Sequence, residues 1–401
     1  MHDFTTLKIA EVRRETPDAI SLTLAIPDDL REAYRFKPGQ HLTLRAIFDG
    51  AEQRRTYSIC SGPADDNLRV AIKRVAGGLF SNWANDTLTT GATLEVMPAS
   101  GRLILPDGDG RRRHLVAFAA GAGITPIMGM LKHALAQEPQ TSFTLVYGNR
   151  MPQSILFREE LEDFKDRHLG RFTLLHVLSH NEESSAPLFE GRITGEKVKA
   201  LAATLFRPGE VAHVFLCGPG SMIKEARSAL LAIGFAREQV HHEFFAPAGG
   251  SPSPRHAGGV SPTRRGEGHG GAVPPARGEG RPKAPTRLVA APHPSPLPAE
   301  EHGEGIRPRG TEAIAILDGV RHGFIVPPGG HVVDAALAAG IRVPYSCKGG
   351  MCCTCRAKLV EGQAEMTANY SLESWEIERG FILTCQAVPK SARLVVDYDQ
   401  M

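Results

Sequence analysis

Apolar and polar positions along this 401-residue chain keep one rhythm, change to a second, lose all rhythm and then recover a third. Over residues 1–108 apolar side chains recur at every second position, as in Leu22, Leu24 and Ile26, in Leu42 and Leu44, and in Leu68, Val70 and Ile72. A period of two puts such side chains on one face of a strand, and Pro and Gly turns separate the runs, so this region predicts an antiparallel β-barrel of about six strands. From 109 to 246 apolar runs alternate with longer helical stretches: HLVAFAA precedes PIMGMLKHALA, FTLVYG precedes FREELEDFKD, and HVFLCG precedes SMIKEARSALLAIG. Strand and helix in alternation predict a parallel α/β sheet. Residues 312–401 show short strands, one helix over 333–339 and a cysteine-rich loop, an α+β pattern.

The rhythm is lost between 247 and 311. Residues 249–310 contain 12 Pro and 13 Gly in 62 positions and no aromatic residue, too little apolar surface to offset the entropy of ordering. A disordered linker is expected there, with a root-mean-square reach of roughly 40 to 47 Å if flexible. The chain therefore divides into three folded units and a spacer.

Composition narrows the function. Lys plus Arg number 46 against 44 Asp plus Glu, so no single-sign field points to nucleic acid or to an anionic membrane surface. The 17 residues from Leu115 to Leu131 carry no charge, just short of a spanning length, but Gly121, Gly123 and Pro126 within them read as strand, turn and helix. The N-terminus lacks a basic segment followed by an apolar one. Seven Cys, four of them between positions 347 and 355, suit metal ligands in a reducing compartment, and a cytoplasmic location is expected.

Cys347, Cys352, Cys355 and Cys385 form C-x4-C-x2-C followed, after 29 residues, by a fourth Cys. That is the plant-type [2Fe-2S] spacing. Three thiolates must converge from one tight loop on two sulfide-bridged irons, and Gly349 and Gly350 permit such a loop. Structural zinc sites favour paired C-x2-C turns instead. Cys353 does not fit the ligand spacing and is read as a small packed or partly exposed side chain.

Two further sites use other chemistry. In Arg55-Thr56-Tyr57-Ser58 a phenol can stack on an isoalloxazine, a guanidinium can neutralise a pyrophosphate, and the Ser58 hydroxyl can reach a flavin nitrogen. Some twenty residues on, Gly77-Gly78-Leu79-Phe80-Ser81 opens a helix whose free N–H groups suit phosphate. Gly121-Ala122-Gly123-Ile124-Thr125-Pro126 follows a strand and starts a helix, which suits a nicotinamide dinucleotide, although the third glycine of the common fingerprint is missing. Cys217-Gly218-Pro219 ends another strand and would face the same crevice. After the strand at 143–147, Gly148-Asn149-Arg150 offers Arg150 for a 2′-phosphate in place of an acid for a ribose hydroxyl, so NADPH is expected over NADH.

RTYS, GGLFS, GAGITP and CGP in that order resemble the ferredoxin–NADP reductase superfamily, and the cysteine loop adds a plant-type ferredoxin with a β-grasp-like fold. More narrowly, PGQHLTL, RRTYSIC, VYGNR, CKGGMCCTC and NYSLE resemble the reductase subunits of bacterial phenylacetyl-CoA epoxidases. The resemblance implies that Arg55, Tyr57 and Ser58 hold FAD, that Gly78 and Ser81 approach its pyrophosphate, and that Gly121, Gly123, Thr125 and Pro126 hold NADPH or NADH. It puts Cys217 beside the nicotinamide, and Glu243 and Phe245 in the places of an acidic residue and a flavin-covering aromatic. Ser58, Cys217 and Glu243 are thus the catalytic candidates. The implied acceptor is a di-iron oxygenase complex. A reductase for another aromatic or hydrocarbon oxygenase, or a flavin-free carrier module, remain as alternatives.

Overall fold

The computed structural model describes residues 4–65, 67–180, 187–245 and 310–400, and a strand at 286–289. The first unit is a six-stranded antiparallel sheet of β1 (Thr5–Thr16), β2 (Ala19–Ala25), β3 (His41–Phe48), β4 (Ala51–Ser58), β5 (Leu68–Lys73) and β6 (Thr93–Val96), ordered β4-β3-β6-β1-β2-β5. An Ile59–Val70 bridge joins the two outer strands and closes the barrel. Its interior is built by the alternating residues Leu22, Leu24, Leu42, Leu44, Leu68, Val70 and Ile72, and α1 (Leu79–Thr87) plugs it with Phe80.

The second unit is a five-stranded parallel sheet of β7 (His114–Ala120), β8 (Ser142–Asn149), β9 (Phe172–Leu178), β10 (His213–Gly218) and β11 (Val240–Phe244), ordered β11-β10-β7-β8-β9. On one face α2 (Ile124–Gln137) and α3 (Arg158–Arg167) share a core with Cys60, Ala71, Leu103 and Leu105 of the first unit, so barrel and sheet form one block. The other face is covered by α4 (Gly195–Leu205) and α5 (Gly220–Ala232). Strand order reverses between β7 and β10, and a ligand crevice opens beyond the carboxyl ends of strands at such a point.

Of the segment read as a linker, 247–285 and 290–309 lie outside the described residues. Within it β12 (Thr286–Val289) is a strand, antiparallel to β16 (Gln363–Met366), where a structureless spacer is expected. The third unit has a mixed sheet of β13 (Thr311–Leu317), β14 (Val320–Val326), β15 (Arg356–Glu361), β17 (Phe381–Leu383) and β19 (Arg393–Asp397), with β13 and β19 parallel. A small sheet joins β12, β16 and β18 (Ala387–Pro389). The helix expected at 333–339 is α6 (Val332–Ala338), and α7 (Ser374–Glu378) precedes β17. Among the described residues no helix is long and apolar enough to cross a membrane.

Candidate functional site

Two turns from distant parts of the sequence meet at the switch point. Gly121–Gly123 follows β7, and Gly218 ends β10; a Cβ on Gly123 would lie 2.2 Å from the Cys217 carbonyl oxygen, so only glycine lets the two turns touch. Thr125 Oγ1 donates to the Ala122 carbonyl at 2.9 Å and Tyr147 Oη to that of Gly121 at 3.0 Å, which fixes the turn from inside. Neither α2 nor α5, which begins after Pro219, carries a side-chain cap; at α2 the Ile124 N–H is taken by the Gly121 and Ala122 carbonyls and Pro126 has none, so the amides open to an anion are chiefly those of the first turn of α5. Pro126 is buried in the first turn of α2. Arg150 is exposed beyond β8, and its neighbour Asn149 buries both amide atoms without a protein partner.

The three catalytic candidates lie along one row. Ser58 stands opposite His41 in the β3–β4 ladder, His41 Nδ1 lies 3.6 Å from Glu243 Oε1, and Glu243 stands beside Cys217 in the β11–β10 ladder. His41, which links them, has no signature of its own in the sequence beyond its place in PGQHLTL. The other carboxylate oxygen of Glu243 is buried without a protein partner, as expected of an atom that a ligand completes. Burial pushes the Cys217 thiol well up, and Glu243 adds to the shift, so this sulfur stays protonated and packs as an apolar wall. Phe245 is partly buried against the core shared by barrel and sheet, with its N–H 3.4 Å from the Gly218 carbonyl.

On the barrel, Tyr57 is half-buried with its ring 5.9 Å from Phe80, and burial raises its phenol. Arg55 donates to the Arg54 carbonyl at 2.7 Å. Ser81 Oγ accepts from the Val75 N–H at 3.1 Å and so shapes the turn before α1; Gly78 caps that helix and leaves its amides without a side-chain acceptor. A half-buried phenol beside a helix start without a side-chain cap fits a flavin and its pyrophosphate.

The four cysteines expected as ligands, Cys347, Cys352, Cys355 and Cys385, lie in the loop before β15 and the turn after β17. They lie in couples: the Cys347 thiol is pulled down to about 5, first by its hydrogen bond with Cys352 and further by the amides of Gly349, Met351 and Cys352. Cys385 is lowered first by Cys355 and also by the Gly350 amide, while Cys352 and Cys355 are raised in turn. The couples Cys347–Cys352 and Cys355–Cys385 would suit two irons with two thiolates each. Gly350 has φ +74°, and a Cβ there would lie 3.0 Å from the Ala368 carbonyl. Cys353 turns the other way, its thiol donating to Ser371 Oγ at 3.0 Å.

The third unit is seated on the other two. Tyr345 Oη donates to Glu52 Oε1 at 2.7 Å, and the Arg54 guanidinium lies 4.0 Å over its ring. A cavity of about 160 Å³ between the units is lined by Arg102, Glu243 and Phe244 on one side and Met351, Cys352 and Glu373 on the other. The cluster loop therefore borders the same strand that carries Glu243.

Three domain families match in this order: Oxidoreductase FAD-binding domain over 6–104, Oxidoreductase NAD-binding domain over 118–228, and 2Fe-2S iron-sulfur cluster binding domain over 315–390. The chain is 37% identical over 399 residues to a subunit of the 1,2-phenylacetyl-CoA epoxidase of Escherichia coli strain K12, covering 100% of this chain and 99% of that protein. The chain belongs to the ferredoxin–NADP reductase superfamily, in the branch with a C-terminal [2Fe-2S] domain. Another member, the ferredoxin reductase component of 3-ketosteroid-9-alpha-monooxygenase from Rhodococcus rhodochrous, is 33% identical over 98% of this chain and 96% of its own length. Phthalate dioxygenase reductase shares the fold, with a TM-score of 0.56 at 22% identity and 98% of each chain covered. This reductase is an NAD(P)H-dependent oxidoreductase with FAD, NAD-binding and [2Fe-2S] domains, and its relatives are oxygenase reductase components.

Proposed function

We propose that the chain is the cytoplasmic reductase component of a di-iron oxygenase of the phenylacetyl-CoA epoxidase type. The full-length likeness to the Escherichia coli epoxidase protein carries this reading. A nicotinamide gives up two electrons at once and the cluster takes one, and bound FAD supplies the conversion between them. Arg55, Tyr57 and Ser58, with Gly78 and Ser81, would hold FAD, and Phe245 would cover its ring. Gly121, Gly123, Thr125, Pro126, Gly218 and Pro219 would hold the dinucleotide, with Arg150 on a 2′-phosphate. The neutral thiol of Cys217 would line the crevice beside the dinucleotide, and His41, 3.6 Å from Glu243, would orient that carboxylate towards it. Cys347, Cys352, Cys355 and Cys385 would bind the cluster.

The test is single-turnover reduction by NADPH and by NADH, followed by transfer to purified oxygenase components. Electrons should reach a phenylacetyl-CoA epoxidase oxygenase, with NADPH the better donor and with Arg150→Ala raising KM for NADPH more than for NADH. Transfer only to a different aromatic oxygenase would overturn the assignment of the acceptor, and equal effects of Arg150→Ala on both donors would overturn its role.

A further inference from the structure

The loop 369–373, NYSLE in sequence, is none of the cofactor-binding motifs, yet it is tied down from within. Asn369 Oδ1 accepts from the N–H groups of Ser371 at 3.2 Å and Leu372 at 2.8 Å. Ser371 Oγ donates to the Gly350 carbonyl at 3.2 Å and accepts from the Cys353 thiol, so this loop and the cluster loop move as one piece. From that piece two carboxylates, three residues apart, face the other two domains. Glu373 lies 3.3 Å from Arg227 on α5 and 3.5 Å from His242 on β11. Glu376, fully buried, accepts a hydrogen bond from Arg102 Nη2 on Oε2 at 2.9 Å, its Oε1 lies at ion-pair distance, 2.8 Å, from Arg102 Nη1, and Nη1 also lies 3.5 Å from Cys353 Sγ.

A buried carboxylate is costly once it loses its cation. Glu376 has a second one, because Arg356 of its own domain sits 3.0 Å from Oε1 and is itself stacked 3.6 Å over Phe381. When the domains part, Arg356 stays with Glu376 while Arg102 and the partners of Glu373 return to water. The contact can then open without leaving the carboxylate unpaired in the ferredoxin domain. The Tyr345 contact differs in kind, since Glu52 and Arg54 already pair with each other at 2.7 Å and stay paired without it.

We propose that Arg102, Glu376 and Glu373 form a reversible clasp that seats the cluster loop against the flavin- and nicotinamide-binding block, which makes Arg102 a positioning residue for electron transfer from FAD to the cluster. The clasp rests on the FAD-to-cluster route of this family. Transfer falls off exponentially with separation, so its observed rate follows the docked fraction.

Stopped-flow reduction of the full chain by NADPH separates the steps, with flavin bleaching read apart from cluster bleaching. In Arg102→Ala and Glu376→Gln, FAD and iron content and the rate of flavin reduction should match the parent, while cluster reduction slows about tenfold, a loss of about 1.4 kcal/mol in the docking equilibrium. Arg102→Lys, which keeps the charge and loses the fork, should recover part of that rate. Cluster reduction at the parental rate in Arg102→Ala would overturn the clasp. If Arg102→Ala or Glu376→Gln loses a cofactor, Glu373→Gln decides: intact cofactors with slowed cluster reduction support the clasp, and a parental rate overturns it. A parent chain that reduces its flavin but never its cluster would instead overturn the electron route itself.

Discussion

The cluster loop and the nucleotide crevice lie within one molecule but are made of opposite materials. At the proposed cluster site the recognising atoms would be four sulfurs at fixed spacing, and backbone amides only adjust them. In the proposed nucleotide crevice the recognising atoms would be backbone N–H groups at the ends of β7 and β10, with few side chains in the way. One site fails when a functional group is taken away, whereas the other fails when a methyl group is added.

The sharpest break is at the cluster. Cys347→Ser, Cys352→Ser, Cys355→Ser or Cys385→Ser should each abolish or severely impair it, with flavin still reducible by NADPH, and Cys353→Ala should leave it assembled. Iron and sulfide analysis checks this, and full cluster content in Cys385→Ser would end the ligand assignment. Next comes Gly123→Ala, whose Cβ meets the backbone of Cys217 rather than a movable side chain. Overpacking of this kind costs typically about 1 to 3 kcal/mol or more. The α/β domain should melt earlier and bind NADPH weakly with the cluster untouched, and unchanged melting would break the comparison on the backbone side.

The flavin site lies between these extremes because it draws on both materials. Arg55→Ala with Tyr57→Ala should purify without FAD and with a full cluster; stoichiometric FAD in that variant would move the site elsewhere. The smallest effect is acid. His241, 3.0 Å from the His213 ring, is held down to about 4 by burial and then by His213 and His242, against about 6.5 when unfolded. Between those values the unfolded chain binds more protons, so stability is full above about pH 6.5 and is lost progressively towards pH 4. Asp334 of the ferredoxin domain, held near 2 first by the His331 hydrogen bond, loses its contribution only below about pH 4. Hydrogen exchange at pH 4.5 should therefore rise in β10 and β11 before β13 and β19; the reverse order would refute the assignment to His241.

Much of this was legible in the sequence where a pattern is local. Alternation marked the barrel strands, glycines after apolar runs marked both turns of the crevice, and cysteine spacing marked the cluster. What local pattern could not carry is the pairing of remote positions. Arg102 and Glu376 are 274 positions apart, and nothing near either announces the other. His41 joins Ser58 to Glu243 only because β3 begins beside β11 in space. Thr286–Val289 has the residue types of a strand, but four positions among Pro and Gly are too few for a period to show.

β11 is the edge of its sheet, and it meets the ferredoxin domain through His242 and Glu373 and across the cavity that Phe244 shares with Cys352. Adjacent residues of that strand therefore serve different tasks: Glu243 lies with His41 and Cys217 at the crevice, and His242 meets the ferredoxin domain through Glu373. Docking and the proposed nucleotide site thus share five residues of backbone, so a shift in the seating of one domain is felt one residue from the chemistry of the other.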